Sequence, residues 1–329
     1  MKGGNQVATA IREYHSLFDA SESGDLAARK KHYDIVVNHF YDLVTDFYEF
    51  GWGDSFHFAP RKKGEDFWAS IRRCERNFAD RLELKPGMIA LDVGCGVGGP
   101  MREVARHSGA KVVGINNNTY QVRKVETYNR KQGLDHLCSV MKADFLNMPI
   151  PDSSYDAIFA IESLPHAPDK RQAYSEIFRI LKPGGLFVLH EWCLTNRYDA
   201  SNPEHLRLKF DIEIGNGLPE LAPVPEVISA LKNAGFELLE TWDAALDSDP
   251  ETPWYRGLEG KDLSLTSVPR TPIGRAITNL VTRALEALRV FPEGTTAVST
   301  LLNHAADDLV AAGRAGIFTP LLYAKARRM

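Results

Sequence analysis

The sequence predicts an α/β fold: a Rossmann-like, seven-stranded, mainly parallel sheet with helices on both faces, plus N-terminal helices and a C-terminal insertion forming a lid. Three observations carry that expectation. Residues 88–100 read Met-Ile-Ala-Leu-Asp-Val-Gly-Cys-Gly-Val-Gly-Gly-Pro, an apolar run that ends in an acid and passes through glycines into a helix. Short apolar runs then alternate with helix-length segments, the order of β-α units joined by right-handed crossovers. The ends of those runs carry Asp92, Asn116, Asp144, Glu162 and Glu191, a polar rim where such sheets bind ligands.

From the start of the chain, Val7, Ile11, Tyr14, Leu17 and Phe18 share one face at helical spacing, which predicts a helix over 7–18. A second runs from Asp25 to near Asp46 with Tyr33, Val37 and Phe40 inward. Residues 47–58 hold six aromatics and His57, broken by Gly51 and Gly53, and read as a folded loop. Its rings either plug the core or form an apolar wall that steadies positive charge. A helix follows over 64–84, then strands at 88–93, 111–115, 139–141, 157–161 and 186–189. Helices at 203–214 and 225–234 precede a sixth strand at 236–241. Residues 243–272 lack periodicity and read as an insertion over the site. Helices at 273–288 and 296–312 and a strand at 317–326 close the chain.

The 329 residues divide into a helical and aromatic-loop lid over 1–64 and a main domain over 65–329, whose C-terminal region begins near 243. Net charge is −4, from 39 basic and 43 acidic residues without blocks, and nothing asks for nucleic acid. Four cysteines without C-x-x-C pairing, and no signal peptide read at Met1, suit reduced thiols in an intracellular protein and no metal site. No apolar run approaches the ~18 residues that span a bilayer, so membrane contact is expected to be peripheral.

Gly94, Gly96 and Gly99 keep the G-x-G-x-x-G spacing that turns the backbone and aims helix N–H groups at a ligand. A dinucleotide site places its acid about 20 residues on. Here Asp92 comes early and the next strand ends Gly-Ile-Asn-Asn-Asn, so the ligand is cationic and lacks a pyrophosphate. That chemistry points to S-adenosylmethionine. Its expected contacts are Asp92 with Gly94, Cys95 and Gly96 in the turn, and Asn116 and Asn117 on the ribose. Gln121, Asp144, Phe145 and Glu162 complete the set, Asp144 toward the adenine. A nicotinamide oxidoreductase, a non-catalytic cofactor binder and a methyltransferase of small polar substrates remain as contrasting readings.

The strand and turn at 91–100, Gly-Ile-Asn-Asn-Asn at 114–118 and Leu-Lys-Pro-Gly-Gly at 181–185 resemble class I S-adenosylmethionine-dependent methyltransferases. Residues 47–58, His-Ala-Pro at 166–168, His-Glu-Trp at 190–192, Asn-Pro-Glu-His at 202–205 and Phe-Thr-Pro at 318–320 resemble sterol 24-C-methyltransferases. The resemblance runs from about Tyr33 to Lys325. It implies that a sterol side-chain alkene attacks the sulfonium methyl, leaving a carbocation that sheds a proton after a hydride shift. It implies ring faces from Tyr48, Trp52, Phe56 and Trp192. Glu49, Glu191, Glu213 and His166 are then candidates for proton removal or charge stabilisation, joined in the catalytic set by His57 and Glu162. Against the family pattern, Ser163-Leu164-Pro165 replaces Ala-Thr-Cys, Asn216 replaces the aspartate of Gly-Asp-Gly, and Ile115 replaces a leucine. A linear triterpene such as squalene is therefore an alternative acceptor to a sterol. A lipid acceptor also suits peripheral association with endoplasmic reticulum or lipid bodies, and self-association is compatible with the sequence.

Overall fold

The strands of a computed structural model form one sheet: β1 (Ile89–Val93), β2 (Lys111–Asn116), β3 (Cys138–Lys142), β4 (Tyr155–Ile161), β5 (Leu181–Leu194), β6 (Phe236–Asp243) and β7 (Phe318–Arg328). The structure describes residues 26–261 and 271–329, together with Thr9 and Tyr14. The helix expected over 7–18 falls outside these apart from those two positions, as does 262–270 of the expected insertion.

The sheet order is β3-β2-β1-β4-β5-β7-β6. β1 pairs in parallel with β2 and β4, β2 with β3 and β4 with β5, while β6 and β7 are antiparallel. The order reverses between β1 and β4, so their carboxyl ends diverge into the crevice where ligands bind in open sheets. Strands covered on both faces need apolar side chains throughout, and Ala157, Ile158, Phe159 and Ala160 of β4 are fully buried. β5 begins earlier than the apolar run at 186–189 suggests. Tyr155 pairs with Leu181 before the register shifts, so Pro183 and Gly184, outside the expected strand, sit inside a bulged one.

The helices are α1 (Leu26–Lys31), α2 (Tyr33–Trp52), α3 (Phe67–Arg81), α4 (Gly99–Ser108), α5 (Thr119–Lys131), α6 (Lys170–Ile180), α7 (Pro203–Asn216), α8 (Val224–Asn233), α9 (Pro272–Ala287) and α10 (Thr295–Ala315). Side-chain caps set several starts: Asp66, Asn118 and Asp169 accept the N–H of Ala69, Gln121 and Gln172. Two expectations are corrected. The helix from Asp25 to Asp46 is two helices that break at His32. The aromatic loop begins only at Gly53, because α2 runs on to Trp52: Phe47 and Tyr48 pack with Tyr14, Phe40, Val44 and Val298, and that burial outweighs the helix penalty of Gly51.

The chain forms two compact units. One gathers Met1–Gly51, Asn196–Leu221 and Tyr255–Phe318, its described residues mainly helical; the other holds Trp52–Thr195, Ala222–Trp254 and Thr319–Met329 with the sheet. In the helical unit α7 lies so close on α10 that a Cβ on Gly215 would stand 2.5 Å from the Cβ of Ala305. This division differs from a lid over 1–64 and a domain over 65–329.

Candidate active site

The site is built from strand ends of the sheet unit. Asp92 is 2% exposed, and its Oδ2 has no hydrogen-bond partner. Burial pushes its carboxyl up to about 8, against the pull of His57 and with the push of Glu75. After it, Gly94 and Gly96 take positive φ, and the N–H groups of Gly94 and Cys95 both donate to the Ile115 carbonyl at 3.0 Å. A Cβ on Gly94 would lie 2.4 Å from that of Ser163, whereas one on Gly96 would meet only the Phe56 ring, at 3.8 Å. The turn is thus closed behind Gly94 and open above Gly96.

Gly99 corrects the reading of the glycine motif. Its N–H donates to the Asp54 carbonyl at 3.0 Å, and a Cβ there would fall 2.1 Å from that oxygen. This glycine admits the protein's own crossing segment rather than a ligand. Arg102, buried in α4, donates to Asp54 Oδ2 at 2.7 Å and to the Val97 carbonyl at 2.9 Å, clamping segment and turn together.

At the end of β2 the side chain of Asn116 also turns inward. Its amide donates to the Gly96 carbonyl (3.0 Å) and Gln121 Oε1 (2.7 Å), and its Oδ1 accepts the Asn118 N–H. Asn116 and Gln121 therefore brace the turn, and half-buried Asn117 is the one of the pair with its side chain uncommitted. Asp144 accepts the Leu146 N–H at 2.8 Å, a loop cap, with Phe145 half-buried beside it.

The segment over 54–58 brings a second buried cluster. Ser55 donates to Glu75 Oε1 at 2.6 Å, and His57 Nε2 stands 3.3 Å from the same oxygen. His57 Nδ1 meets the Phe58 carbonyl at 2.8 Å. Burial alone would depress His57, but the hydrogen bond and charge of Glu75, with Glu162 behind, lift it above the ordinary histidine value. His190, at the end of β5, is instead pushed down to about 3 by burial and by His57. Glu75 and Glu162 thus favour the proton on His57, while burial disfavours it on His190.

Glu162 follows β4 with φ of 55°, a left-handed conformation that is strained for this residue. Its Oε1 accepts the Phe58 N–H at 2.7 Å and its Oε2 the indole N–H of Trp192 at 2.8 Å. Burial raises its carboxyl to about 8 despite His57 and both hydrogen bonds. The strain thus fixes a carboxylate between two aromatic residues. Phe58 also packs edge-on against Trp52 and Trp254, with ring centres 5.2 and 5.0 Å away, and tilted against Trp192 at 6.1 Å. Glu75 and Trp254 were missed from sequence, and Phe58 was read only as one ring of the aromatic block. Trp254 stood in an aperiodic stretch whose Thr-Pro-Trp-Tyr was the available signal.

Glu191 is fully buried and held by Lys170 (3.0 Å) and the hydroxyl of Tyr174 (3.3 Å). Lys170 also donates to the Leu164 carbonyl at 3.0 Å, so this network pins the turn Leu164–His166, where His166 is buried. Ser163, a departure from the family pattern, donates to the Val93 carbonyl and ties β4 to the glycine turn.

Three candidates belong to the helical unit. Tyr48 stacks edge-on against Phe40, 6.2 Å between ring centres, and burial pushes its phenol well up. Glu49 is half-buried on α2. Glu213 is no solvated charge: Arg29, Lys209 and the Leu221 N–H occupy its two oxygens. It braces α1 and α7 instead of presenting an open base. Asn216 donates to the Ile212 carbonyl at 2.8 Å, capping its own helix, which an aspartate would not do. The second departure from the family pattern is thus a local helix-end change.

A buried acid with a free oxygen beside an open glycine turn fits a cationic, phosphate-free ligand, and among the described residues no other buried carboxylate oxygen lacks a hydrogen bond. The comparisons agree. Residues 91–189 match a methyltransferase domain and 265–328 the sterol methyltransferase C-terminal region. A cycloartenol-C-24-methyltransferase of Arabidopsis thaliana is 45% identical over 98% of this chain and 96% of its own length. A sterol 24-C-methyltransferase of Saccharomyces cerevisiae is 41% identical over 99% of this chain and 87% of its own. The chain belongs to the sterol 24-C-methyltransferase family. It is an S-adenosylmethionine-dependent methyltransferase. A cyclopropane synthase of Mycobacterium tuberculosis shares the fold, with a TM-score of 0.66 at 17% identity over 89% of this chain and 98% of that one. So does a putative sarcosine dimethylglycine methyltransferase of Galdieria sulphuraria, at 0.62 and 23%, covering 86% and 97%.

Proposed function

We propose that this enzyme transfers a methyl group from S-adenosylmethionine to C24 of a sterol side-chain alkene. The observation that carries the reading is the unpaired, buried Asp92 carboxylate at the end of β1, in a chain whose relatives over nearly its whole length are sterol enzymes. When bound, the cofactor supplies a methyl group made electrophilic by a sulfonium, together with a cationic ammonium.

Asp92 attracts that positive end, Asn117 hydrogen-bonds the ribose, and Cys95, Asp144 and Phe145 border the remainder. Asn116 and Gln121 hold the turn in place before the ligand arrives. An alkene is a weak nucleophile, so orientation matters more than base strength. Trp192, Phe58, Trp52 and Trp254 offer ring faces to the cation that develops on the sterol and keep out water, which would trap it as an alcohol. Glu162, locked by Phe58 and Trp192, supplies negative charge to that cation and is the favoured proton acceptor; His57 and Glu75 hold the segment that carries Phe58. Glu191 positions the turn bearing His166.

Peripheral contact with a lipid surface follows from a water-insoluble acceptor; residence at endoplasmic reticulum or lipid bodies is tested by fractionation and self-association by sedimentation. No helix among the described residues is long and apolar enough to cross a membrane. The reading is tested with purified enzyme and methyl-labelled S-adenosylmethionine, offered cycloartenol, lanosterol, zymosterol and squalene separately. Label in a sterol, located at C24 by mass spectrometry, is expected. Label in squalene alone, or in none of the four, overturns the reading.

A further inference from the structure

α9 is built inside out. Ile273, Ile277, Leu280, Val281 and Leu288 are between 49% and 73% exposed, with exposed alanines at 276, 284 and 287 between them. At 100° per residue these positions span one face of roughly 140° that contains no polar side chain. The opposite face is polar and occupied. Thr282 is buried, Asn279 accepts from Ser299, and Arg275 donates to Asp307 at 2.7 Å. Glu286 accepts the N–H groups of Gly294 and Thr296.

A helix of an ordinary water-facing surface shows the reverse arrangement, and a contiguous exposed apolar face marks a surface meant to be covered. The charge around this one selects the cover. Arg283 at the edge of the face and Arg289 just past the helix end are exposed, and neither makes an ion pair among the described residues. An apolar face with one unpaired guanidinium at its edge and a second beyond its C-terminal end matches a lipid interface, with acyl chains below and phosphates at the rim.

We infer that the exposed face of α9 inserts into a phospholipid membrane surface, docking the enzyme where its acceptor is dissolved. The inference rests on the lipid-acceptor reading, but its test does not. Full-length enzyme is sedimented with sterol-free vesicles of phosphatidylcholine, with and without phosphatidylserine, beside the variant carrying Ile277→Glu and Leu280→Glu and the variant carrying Arg283→Glu and Arg289→Glu. Both pairs sit on exposed positions, so circular dichroism and turnover of detergent-dispersed sterol should match the parent.

The parent is expected to co-sediment, more so with phosphatidylserine. The Ile277/Leu280 variant should bind about tenfold more weakly or worse on both vesicles. The Arg283/Arg289 variant should lose affinity chiefly on the anionic ones, in a salt-dependent way. Vesicle binding without methylation of any sterol would sink the acceptor reading and leave this inference standing. A parent that stays in the supernatant with both vesicles overturns it. So does an Ile277/Leu280 variant that binds vesicles normally but changes from dimer to monomer in ultracentrifugation, since the face is then covered by a second copy.

Discussion

As the proposed cofactor contact, Asp92 would join recognition to pH. The unfolded chain releases this proton near 3.8 and the folded chain near 8, so between those values the native state holds more protons. The stability contributed by this group in the cofactor-free enzyme therefore falls as pH rises across that window. A bound cation reverses the preference and draws the carboxyl down, so binding near neutral pH releases a proton. Calorimetry in buffers of different ionisation enthalpy should detect that release, and Asp92→Asn should abolish it while weakening binding by roughly a hundredfold. Unchanged proton release in Asp92→Asn would assign it elsewhere. Glu162 titrates near the same value, and its proposed role is on the acceptor side. With cofactor saturating, kcat should rise as pH climbs through about 8, and Glu162→Gln should flatten that limb and lower kcat by ~100-fold. An amide presents only one acceptor oxygen to the two donors of Phe58 and Trp192, so one of them loses its tether. Residue identities along the glycine turn were legible because strand, acid and glycines are contiguous. The contacts of Asn116 with Gly96, Gly99 with Asp54 and Glu213 with Arg29 were not, because each joins residues far apart in sequence.

At the scale of elements, the network under the turn Leu164–His166 can be taken apart. Lys170 and Glu191 are both buried, and Lys170 links the β5 end to the Leu164 carbonyl. Lys170→Met leaves a buried carboxylate with only Tyr174 and should destabilise the enzyme by about 3–5 kcal/mol in urea unfolding. Adding Glu191→Gln should recover most of that loss, and equal, additive effects of the two changes would show that the pair is not coupled. Helix and strand order was readable from periodicity, and boundaries moved only where a non-local partner intervened. β5 reaches back to Leu181 because Tyr155 supplies a ladder partner to a Pro-Gly-Gly stretch outside the expected strand. α2 continues through Phe47–Trp52 because Phe40, Val44 and Val298 pack against Phe47 and Tyr48, which composition could not reveal.

For the whole molecule, the two proposals assign the two units different ligands, the cofactor to the sheet unit and a lipid surface to the helical one. The helical unit is assembled from three separate stretches of the chain, so no local pattern announces it. Nor does an amphipathic stripe such as that of α9 say which of its faces will be turned outward. The sheet unit holds Asp92, the glycine turn and Asn117, all at the ends of β1 and β2. Ligand that binds only the folded state adds ~2.7 kcal/mol at about a hundred times its dissociation constant, and that stabilisation concentrates in the backbone it orders. A non-reacting cofactor analogue should therefore slow amide hydrogen exchange at 92–99 and 116–121 and leave 273–290 unchanged. Vesicles without sterol should do the opposite, protecting 273–290 and sparing the glycine turn. Protection of 273–290 by the analogue alone would mean that α9 responds to cofactor, and its apolar face would then have to be understood as a conformational element of the catalytic cycle instead of a standing lipid anchor.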